Sequence, residues 1–405
     1  MIILKIALRN VFRQKRRTMF TLLTIFGGFA LSAVSIGWSD GSYSNIINMF
    51  TGNRLGHIQI HNKSFTEKRS LYFTIDDYKK VGQKILSAEG VQTWAPRLYS
   101  AGLVSAGNKS AGVQIIGIDP SLEDKATKFH KKIKSGSMFP ANAQKKVIIG
   151  IDLANILNVA IGDEIVIVSQ AADGSIADNI YSLFGIIESG DKITDRTGFF
   201  LHIQDAQEML ALENKAHEFI IMVNNINNVR IIADDIKQKV DDPALLVEPW
   251  QEFAKSFYQA MKADQQGMWI MLFIIILIMA IGVLNTVLMS VLERRREYGL
   301  LKAIGTKPSQ IFSLVLFEVN ILAVLSIIIG AGAATIVNYF LSIHGITLPT
   351  SFTYGGIVFD TLYSEINIRS YYIPTITVII ATTLISIFPA LKAARIEPVK
   401  AMNIH

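Results

Sequence analysis

Four long apolar stretches, three of them without any charge, constrain this chain more than any other feature of its sequence. A helix needs about 20 apolar residues to cross the roughly 30 Å hydrocarbon core of a bilayer. We therefore predict four transmembrane helices, of which the third is over-long and tilts or emerges from the membrane. Buried helices of a large soluble protein are the alternative, and four such runs disfavour it. The stretches are Thr18–Trp38, Met268–Leu292, Ile311–Ile343 with the single charge of Glu318, and Tyr371–Leu391.

The first stretch has a second interpretation, because basic residues precede it as they do in a cleaved signal peptide. However, it exceeds the usual apolar length of about 7–15 residues, and its basic part is long. We favour an uncleaved membrane anchor.

The net charge of +6 is unevenly distributed along the chain. Fourteen basic and three acidic residues flank the helices in residues 1–17, 293–310 and 392–405, whereas residues 39–267 hold 24 basic and 27 acidic residues. Because basic flanks remain in the cytoplasm, we predict that both termini are cytoplasmic. A nucleic-acid binder would carry its positive charge on a folded domain. We therefore expect the lipid bilayer as a partner and no nucleic acid.

These observations divide the chain into consecutive segments. We predict that the segment between the first two helices lies outside the cytoplasm and that it is a mixed α/β domain with a β-rich insert at about 119–197. The segments are a cytoplasmic amphipathic helix at 1–17, TM1 at 18–38, the external domain at 39–267, TM2 at 268–292, a charged cytoplasmic helix at 293–310, TM3 at 311–343, an external loop at 344–370, TM4 at 371–391 and a cytoplasmic tail at 392–405.

The sequence shows no catalytic or metal-binding constellation. Without cysteine there are no disulfides, thiolate metal ligands or cysteine nucleophiles. His57 and His61 are four residues apart in a strand-like run, which separates them by roughly 13 Å. The phosphate-binding Gly-x-x-x-x-Gly-Lys-Ser/Thr motif is also missing. We predict no catalytic residues, no metal and no cofactor in this chain.

A charged segment directly follows the second helix. Leu300, Leu301 and Ile304 form a small apolar face among its charges, which indicates a docking partner, although a simple positive-inside loop remains an alternative. Gly305 is typical of a helix stop, and Pro308 suits the first turn of the next helix. The candidate coupling residues are Glu293, Arg294, Arg295, Arg296, Glu297, Tyr298, Gly299, Leu300, Leu301, Lys302, Ala303, Ile304 and Gly305.

Two polar residues lie inside the predicted membrane helices. Asn285 and Glu318 are each seven residues from a helix end, which places both about 10 Å inside the cytoplasmic boundary. A carboxylate within a membrane is a functional hypothesis by default. We expect Glu318 to approach Asn285 or a partner subunit. The alternative is that Glu318 snorkels or packs as a neutral residue.

The run from Ser290 to Gly305, preceded by Asn285, resembles the signature of FtsX/MacB-type ABC transporter permeases. Phe317–Glu318 and the run from Pro389 to Met402 are similar to the same family. Shorter external runs resemble its LolC/LolE branch; these are Gly56–Ile60, Gly117–Glu123 and Gly162–Val166.

The resemblance implies a fold: four membrane helices with an α/β periplasmic domain that has porter-like halves and a β-rich Sabre-like insert. It also implies a dimer with an identical or homologous second permease. Two partner ATPase subunits would bind ATP and Mg, and the residues from Glu293 to Gly305 would dock in them as a coupling helix. ATP hydrolysis would move the periplasmic domains by mechanotransmission.

For the LolC/LolE branch the resemblance implies a lipoprotein cargo that passes to a periplasmic carrier. Extraction of acyl chains requires an apolar cavity, and adaptable methionines suit irregular chains. The candidate cavity residues, for which interfacial anchoring is the alternative, are Trp38, Met268, Trp269, Met271 and Phe273.

Two other functions remain open. One is a MacB-like exporter of peptides or amphiphiles that works with an adaptor and an outer-membrane duct. The other is an FtsX-like signalling permease that controls a cell-wall hydrolase, which the roughly 229-residue external segment disfavours.

Overall fold

The computed structural model describes residues 2–13, 15–67, 70–140, 142–354 and 357–398. Half of the predicted tail, residues 399–405, lies outside these residues. The contacts within the chain define two compact units. The helical unit comprises Met1–Asn45, Met261–Pro349 and Thr361–His405. The sheet unit comprises Ile46–Ala260 and Thr350–Asp360.

Fourteen α-helices occur in the described residues, and four of them are long and apolar enough to cross a membrane: α2, α11, α13 and α14. In chain order the helices are α1 (Ile2–Arg13), α2 (Lys15–Phe50), α3 (Lys63–Glu67), α4 (Tyr78–Leu86), α5 (Pro120–Thr127), α6 (Ile151–Leu157), α7 (Lys192–Thr197), α8 (Ile203–Met209), α9 (Val229–Val240), α10 (Trp250–Phe253), α11 (Lys255–Glu293), α12 (Arg295–Ala303), α13 (Pro308–His344) and α14 (Arg369–Ala394).

The long helices extend beyond the apolar stretches that predict them. Helix α2 continues from Trp38 to Phe50, and α11 begins at Lys255 rather than at Met268. The predicted bounds follow hydropathy, whereas a helix continues for as long as its backbone hydrogen bonds are favourable. The helical segments are therefore longer than the predicted spans.

Small residues allow the long helices to pack closely within the helical unit. A Cβ atom at Gly28 would lie 2.8 Å from Met279, and one at Gly282 would lie 2.7 Å from Thr24. These pairs run in opposite directions along the chain, so α2 and α11 are antiparallel. Gly330 on α13 similarly meets the Phe29 ring at 2.7 Å. These glycines serve contacts within one chain.

Twelve strands occur in the described residues, and ten of them form one sheet. The other two, β11 and β12, form a two-stranded sheet between α13 and α14. The strands are β1 (Ile58–Asn62), β2 (Val91–Ala106), β3 (Lys109–Ile118), β4 (Ile133–Gly136), β5 (Lys146–Gly150), β6 (Glu164–Gln170), β7 (Ile176–Ile187), β8 (Gly198–His202), β9 (Glu218–Val223), β10 (Leu245–Pro249), β11 (Ile346–Tyr354) and β12 (Ile357–Leu362).

Six strands of the large sheet close into a ring. The pairing runs from β2 to β3, β8, β5, β7 and β6, and β6 returns to β2. Fully buried Leu98, Ile149, Ile167 and Phe199 belong to the core of this part. The β-rich part therefore takes β2, β3 and β8 from outside the predicted range of 119–197. The boundary of the β-rich part depends on pairing between strands that are distant in the chain. Sequence periodicity does not reveal such pairing.

Three of the remaining strands extend β2 in the order β9, β1 and β10, and all of these pairs are antiparallel. The fourth, β4, pairs antiparallel with β7. Helix α9 is amphipathic and buries Ile232 and Ile236. Gly82 on α4 allows the Trp94 ring of β2 to approach so closely that a Cβ atom would overlap it. The sheet unit thus combines an antiparallel α/β part with the closed ring of strands.

Candidate functional site

Glu318 on α13 is the centre of a buried polar cluster. Arg294, between α11 and α12, donates from Nη1 to both Glu318 carboxylate oxygens at 3.0 and 2.9 Å. Asn10 on α1 donates to the same carboxylate at 2.7 Å. Arg294 also donates from Nε to Glu297 at 2.9 Å. We call these four residues the Glu318 cluster; it joins α1, α12 and α13 at one point.

Burial makes this cluster structurally important. The Arg294 side chain is 7% exposed and that of Glu318 is 10% exposed. Either charge would be costly at such a site if it had no partner. The Arg294 guanidinium also lies 5.1 Å from the centroid of the fully buried Tyr298 ring. The arrangement therefore fixes the start of α12 against α13.

Helix α12 has one buried and one exposed face. Tyr298 and Gly299 are buried, and Leu301 packs partly against the helical core. Leu300 is 55% exposed and Ile304 is 74% exposed. The exposed residues of the predicted coupling run are Glu293, Arg295, Arg296, Leu300, Ala303, Ile304 and Gly305. Apolar side chains beside cations on an exposed helix face are typical of a docking surface.

The charged segment that follows α11 ends in the turn that Gly305 and Pro308 predict. Lys302 points away from solvent and donates to the carbonyl oxygens of Ala394 and Ile396 at 3.1 and 2.8 Å. Gly305 has a φ of 102°, a conformation that favours glycine, and α13 begins at Pro308. The helical part is Arg295–Ala303, which is shorter than the predicted segment 293–310 because it excludes this turn.

The structure corrects the expected pairing of Glu318 with Asn285. Arg294 and Asn10 hold the carboxylate, whereas Asn285 is exposed on α11. Residue spacing gives the depth of a side chain but not the face on which it lies, and these two side chains lie on different faces. An approach of Asn285 to a partner subunit stays a prediction.

Sequence reasoning missed Asn10 as a ligand of Glu318, and it missed the specific contact of Lys302. A signal for Arg294 did exist, since a buried carboxylate near a membrane boundary requires a cation and three arginines follow α11. No pattern identified which of the three turns inward. Arg295 and Arg296 are exposed, whereas Arg294 is buried.

The five candidate cavity residues lie on α2 and α11 with largely accessible side chains. Trp38 is 37%, Trp269 44%, Met271 50% and Phe273 65% exposed, and Met268 is half-buried. The Arg369 guanidinium lies 5.8 Å from the Trp269 ring centroid. None of these side chains lines the cavity of the sheet unit described next.

A separate cavity of about 870 Å³ lies within the sheet unit. Its wall includes a row across three neighbouring strands, in which His61 of β1 faces Glu218 of β9 and Glu218 faces Arg97 of β2. Three cations and three carboxylates line the cavity, so their charges balance. They are Arg54, Arg97, Lys132, Glu123, Asp191 and Glu218.

The strongest ion pair of this cavity joins Arg97 and Glu123. Arg97 donates to the two carboxylate oxygens at 3.1 and 2.6 Å, and Thr127 donates to one of them at 2.9 Å. Burial alone would raise the pKa of Glu123, but the Arg97 guanidinium outweighs this effect and holds the pKa below its ordinary value. Burial lowers the pKa of the nearby Lys132 to about 8.

Among the described residues, no group of three or more His, Cys, Asp or Glu side chains is placed to hold a metal ion. His57 and His61 lie along the same extended segment. Backbone N–H of Val223 donates to His57 Nδ1 at 3.0 Å, which gives His57 a structural role.

Two family models together match most of the chain. The MacB-like periplasmic core domain matches residues 18–239, and the FtsX-like permease C-terminal matches residues 269–398. The first match alone covers more than half of the chain. The chain therefore belongs to the MacB/FtsX-type family of ABC transporter permeases, with a MacB-like periplasmic α/β domain between its first two membrane helices.

Several named proteins are similar to it. The lipoprotein-releasing system transmembrane protein LolC of Neisseria meningitidis serogroup B is 20% identical over 98% of each chain. The macrolide export ATP-binding/permease protein MacB of Psychrobacter cryohalolentis is 30% identical over 30% of this chain and 16% of that protein. The periplasmic region of MacB from Actinobacillus actinomycetemcomitans covers 50% of this chain and 92% of its own, at 12% identity and a TM-score of 0.38.

The match to the FtsX-like permease model and the similarity to LolC are consistent with a membrane subunit that is not itself an enzyme. Together with the four long apolar helices, they indicate a protein of the inner membrane.

Proposed function

We propose that this chain is the permease subunit of an ABC transporter that extracts lipoproteins from the inner membrane. Two separate ATPase subunits hydrolyse ATP, and the permease converts their motion into motion of its periplasmic domain. The match to LolC over 98% of both chains supports the lipoprotein cargo. A second permease, identical or homologous, and a periplasmic carrier complete the proposed assembly.

The observation that carries the proposal is the exposed face of α12. Leu300 and Ile304 are apolar but accessible, and Arg295 and Arg296 lie beside them. The Glu318 cluster holds this short helix in place, so the exposed face is presented on a fixed support. A surface of this kind suits insertion into a groove of a partner.

The proposed orientation places α12 and both termini in the cytoplasm. The basic residues of segments 1–17, 293–310 and 392–405 support this orientation through the positive-inside rule. The sheet unit would then lie in the periplasm. An external cysteine reagent applied to single-cysteine variants would test the orientation, because the natural chain has no cysteine.

Ile304→Asp tests the docking face. We expect that the ATPase no longer co-purifies with this variant, because a carboxylate cannot be desolvated in an apolar groove. The matched control is Ile231→Asp on α9, since Ile231 is 73% exposed and Ile304 is 74% exposed. Retention of the ATPase by Ile304→Asp would contradict the docking assignment. Leu301 is a poorer probe because it packs against the core.

Mass spectrometry of the purified complex tests the cargo. We expect an acylated lipoprotein bound to the complex, in an amount that falls when ATP is added. An exporter of peptides or amphiphiles is the second candidate, and the MacB-like core match favours it. Bound peptide with reproducible absence of lipoprotein would support that candidate. A bound cell-wall hydrolase would instead support a signalling permease.

A further inference from the structure

Helix α12 is anchored at both of its ends by side chains that reach other helices. Near its start, Arg294 donates to both oxygens of Glu318 on α13. Near its end, Lys302 donates to the carbonyl oxygens of Ala394 and Ile396. At 1.5 Å per helical residue the two anchors are about 12 Å apart. The helix cannot tilt or slide without moving at least one anchor.

The anchor on α13 is a buried ion pair. Both side chains are at most 10% exposed, so water cannot readily replace either partner. Separation of such a pair leaves an uncompensated charge, which is strongly unfavourable. The pair therefore acts as a stiff link rather than as a loose surface contact.

The anchor on α14 uses the end of that helix. Ala394 is the last residue of α14, and its carbonyl oxygen has no partner within the helix. A lysine that donates to such carbonyl oxygens is favoured by hydrogen bonding and by the helix dipole. Lys302 therefore ties the end of α12 to the end of α14.

A third contact comes from α1. Asn10 donates to Glu318 at 2.7 Å, and fully buried Ala7 belongs to the same helical core. Arg13 lies 3.6 Å from Glu297 of α12, but both side chains are exposed, so this pair contributes little. Helix α1 thus supplies Glu318 with a hydrogen-bond donor in addition to Arg294.

The backbone link to α11 differs from these anchors. Arg294 joins α11 to α12 with a φ of −94° and a ψ of 13°, outside the regular geometry of either helix. A single non-helical residue permits the two helix axes to change angle. The Arg294–Glu318 pair and the contacts of Lys302 with two carbonyl oxygens at the end of α14 therefore constrain α12 in addition to its own chain connection.

We infer that motion imposed on α12 passes to α13 and α14 through Arg294–Glu318 and Lys302, which are positioning residues for energy coupling. This inference rests on the proposed docking of an ATPase at α12. Loss of an anchor is expected to leave the docking face intact but to let α12 move independently of the membrane helices.

A spin label tests the anchors without any ATPase. The chain has no cysteine, so Ile304→Cys gives a single labelling site on the exposed face of α12. In the full-length chain in nanodiscs, we expect Glu318→Gln and Lys302→Gln each to shorten the correlation time of the label by about twofold or more. The control is Lys392→Gln, which changes an exposed lysine in the last turn of α14. This variant is expected to leave the correlation time of the label unchanged.

The charge exchange Arg294→Glu with Glu318→Arg distinguishes an ion pair from general misfolding. We expect the exchange to restore the slow label motion that Glu318→Arg alone abolishes. Unchanged label motion in both Glu318→Gln and Lys302→Gln would overturn the inference, and so would failure of the exchange when the folded yield is normal.

Activity of the co-purified complex separates this inference from the proposed function. In the complexes that co-purify with each variant, we expect lipoprotein release per ATP hydrolysed to fall at least severalfold for Glu318→Gln and for Lys302→Gln. Normal release in both variants would overturn the inference. If even the natural chain fails to bind an ATPase, the proposed function fails, whereas the label measurement still decides the anchoring.

Discussion

Among the described residues, each of the two units contains one buried arginine–glutamate pair, and the two pairs are built differently. In the sheet unit, Arg97 and Glu123 form a closed pair, in which two arginine nitrogens meet two carboxylate oxygens and Thr127 completes the site. In the helical unit, Arg294 uses one nitrogen for both oxygens of Glu318, and Asn10 shares that carboxylate.

The second pair also extends outward, because Arg294 reaches Glu297, whose side chain is 41% exposed. The sheet pair therefore stabilises one domain internally. The helical pair links three chain segments and extends to the face that would meet a partner. The same two residue types serve a static role in one unit and a connecting role in the other.

The largest expected effect is the loss of Arg97. Arg97→Met leaves Glu123 as a buried charge that has lost its guanidinium partner but keeps the hydrogen bond from Thr127 and the attraction of Lys132. We expect the free energy of unfolding of the sheet unit to fall by about 3–5 kcal/mol. Hydrogen exchange of the sheet-unit peptides in the full-length chain measures this loss. The double variant Arg97→Met/Glu123→Leu should lose much less. Equal losses in both variants would show that packing, not charge, dominates.

Acid should also destabilise the sheet unit before the helical unit. Burial lowers the pKa of His57 to about 4, from an ordinary value near 6.5, despite the backbone contact of Val223. The pKa of His57 is lower in the folded than in the unfolded state. The contribution of neutral His57 to stability is therefore intact above about pH 6.5 and is lost as the pH falls towards 4. The expected loss in the free energy of unfolding of the sheet unit is about 3 kcal/mol.

Hydrogen exchange at pH 7 and pH 4.5 tests this expectation. His57→Asn retains an acceptor for the Val223 N–H and should remove this part of the pH dependence. The described histidine of the helical unit, His344, is exposed, so acid should loosen the sheet unit first. Simultaneous loosening of both units would contradict the comparison.

Arg294→Met should have a smaller effect than Arg97→Met. Glu318 keeps the hydrogen bond from Asn10, so we expect the protection of α12 against hydrogen exchange to fall by about 2 kcal/mol. The effect should be confined to peptides of α12 and the start of α13. A loss as large as that of Arg97→Met would show that Arg294 contributes as much to stability as Arg97 does, which would contradict the comparison.

The smallest expected effects come from two tyrosine hydroxyls. Tyr99 of the sheet unit donates to Glu218 at 3.0 Å, so Tyr99→Phe should destabilise that unit by about 1 kcal/mol. The buried Tyr298 hydroxyl has no hydrogen-bond partner among the described residues, so Tyr298→Phe should be neutral or stabilise by about 1 kcal/mol. Thermal unfolding of the two variants checks the opposite signs.

Much of the fold follows from local sequence properties. Long uncharged runs predict the four membrane helices, and Gly305 and Pro308 predict the turn after α12. Of the predicted apolar face of Leu300, Leu301 and Ile304, the first and third residues are exposed, whereas Leu301 packs against the helical core. Each of these features depends on residues close together in the chain, so a sequence pattern is sufficient to find it.

Other features depend on residues far apart in the chain. The closed ring of six strands requires β6 to pair with β2, and its extent differed from the predicted insert. The expected partner of Glu318 was Asn285, but helix rotation directs Glu318 to Arg294 and Asn10 instead. Depth in the membrane can be counted from the sequence, whereas the direction of a side chain depends on packing.

The sequence by itself determined the class of this protein: four apolar helices, a large domain between the first two, and a charged segment that resembles a coupling helix. These properties follow from composition and spacing along the chain. The tertiary structure alone decided which charges meet. Asn10 and Glu318 are 308 residues apart, and a buried carboxylate selects its partners by distance and geometry in the folded chain, not by separation in sequence.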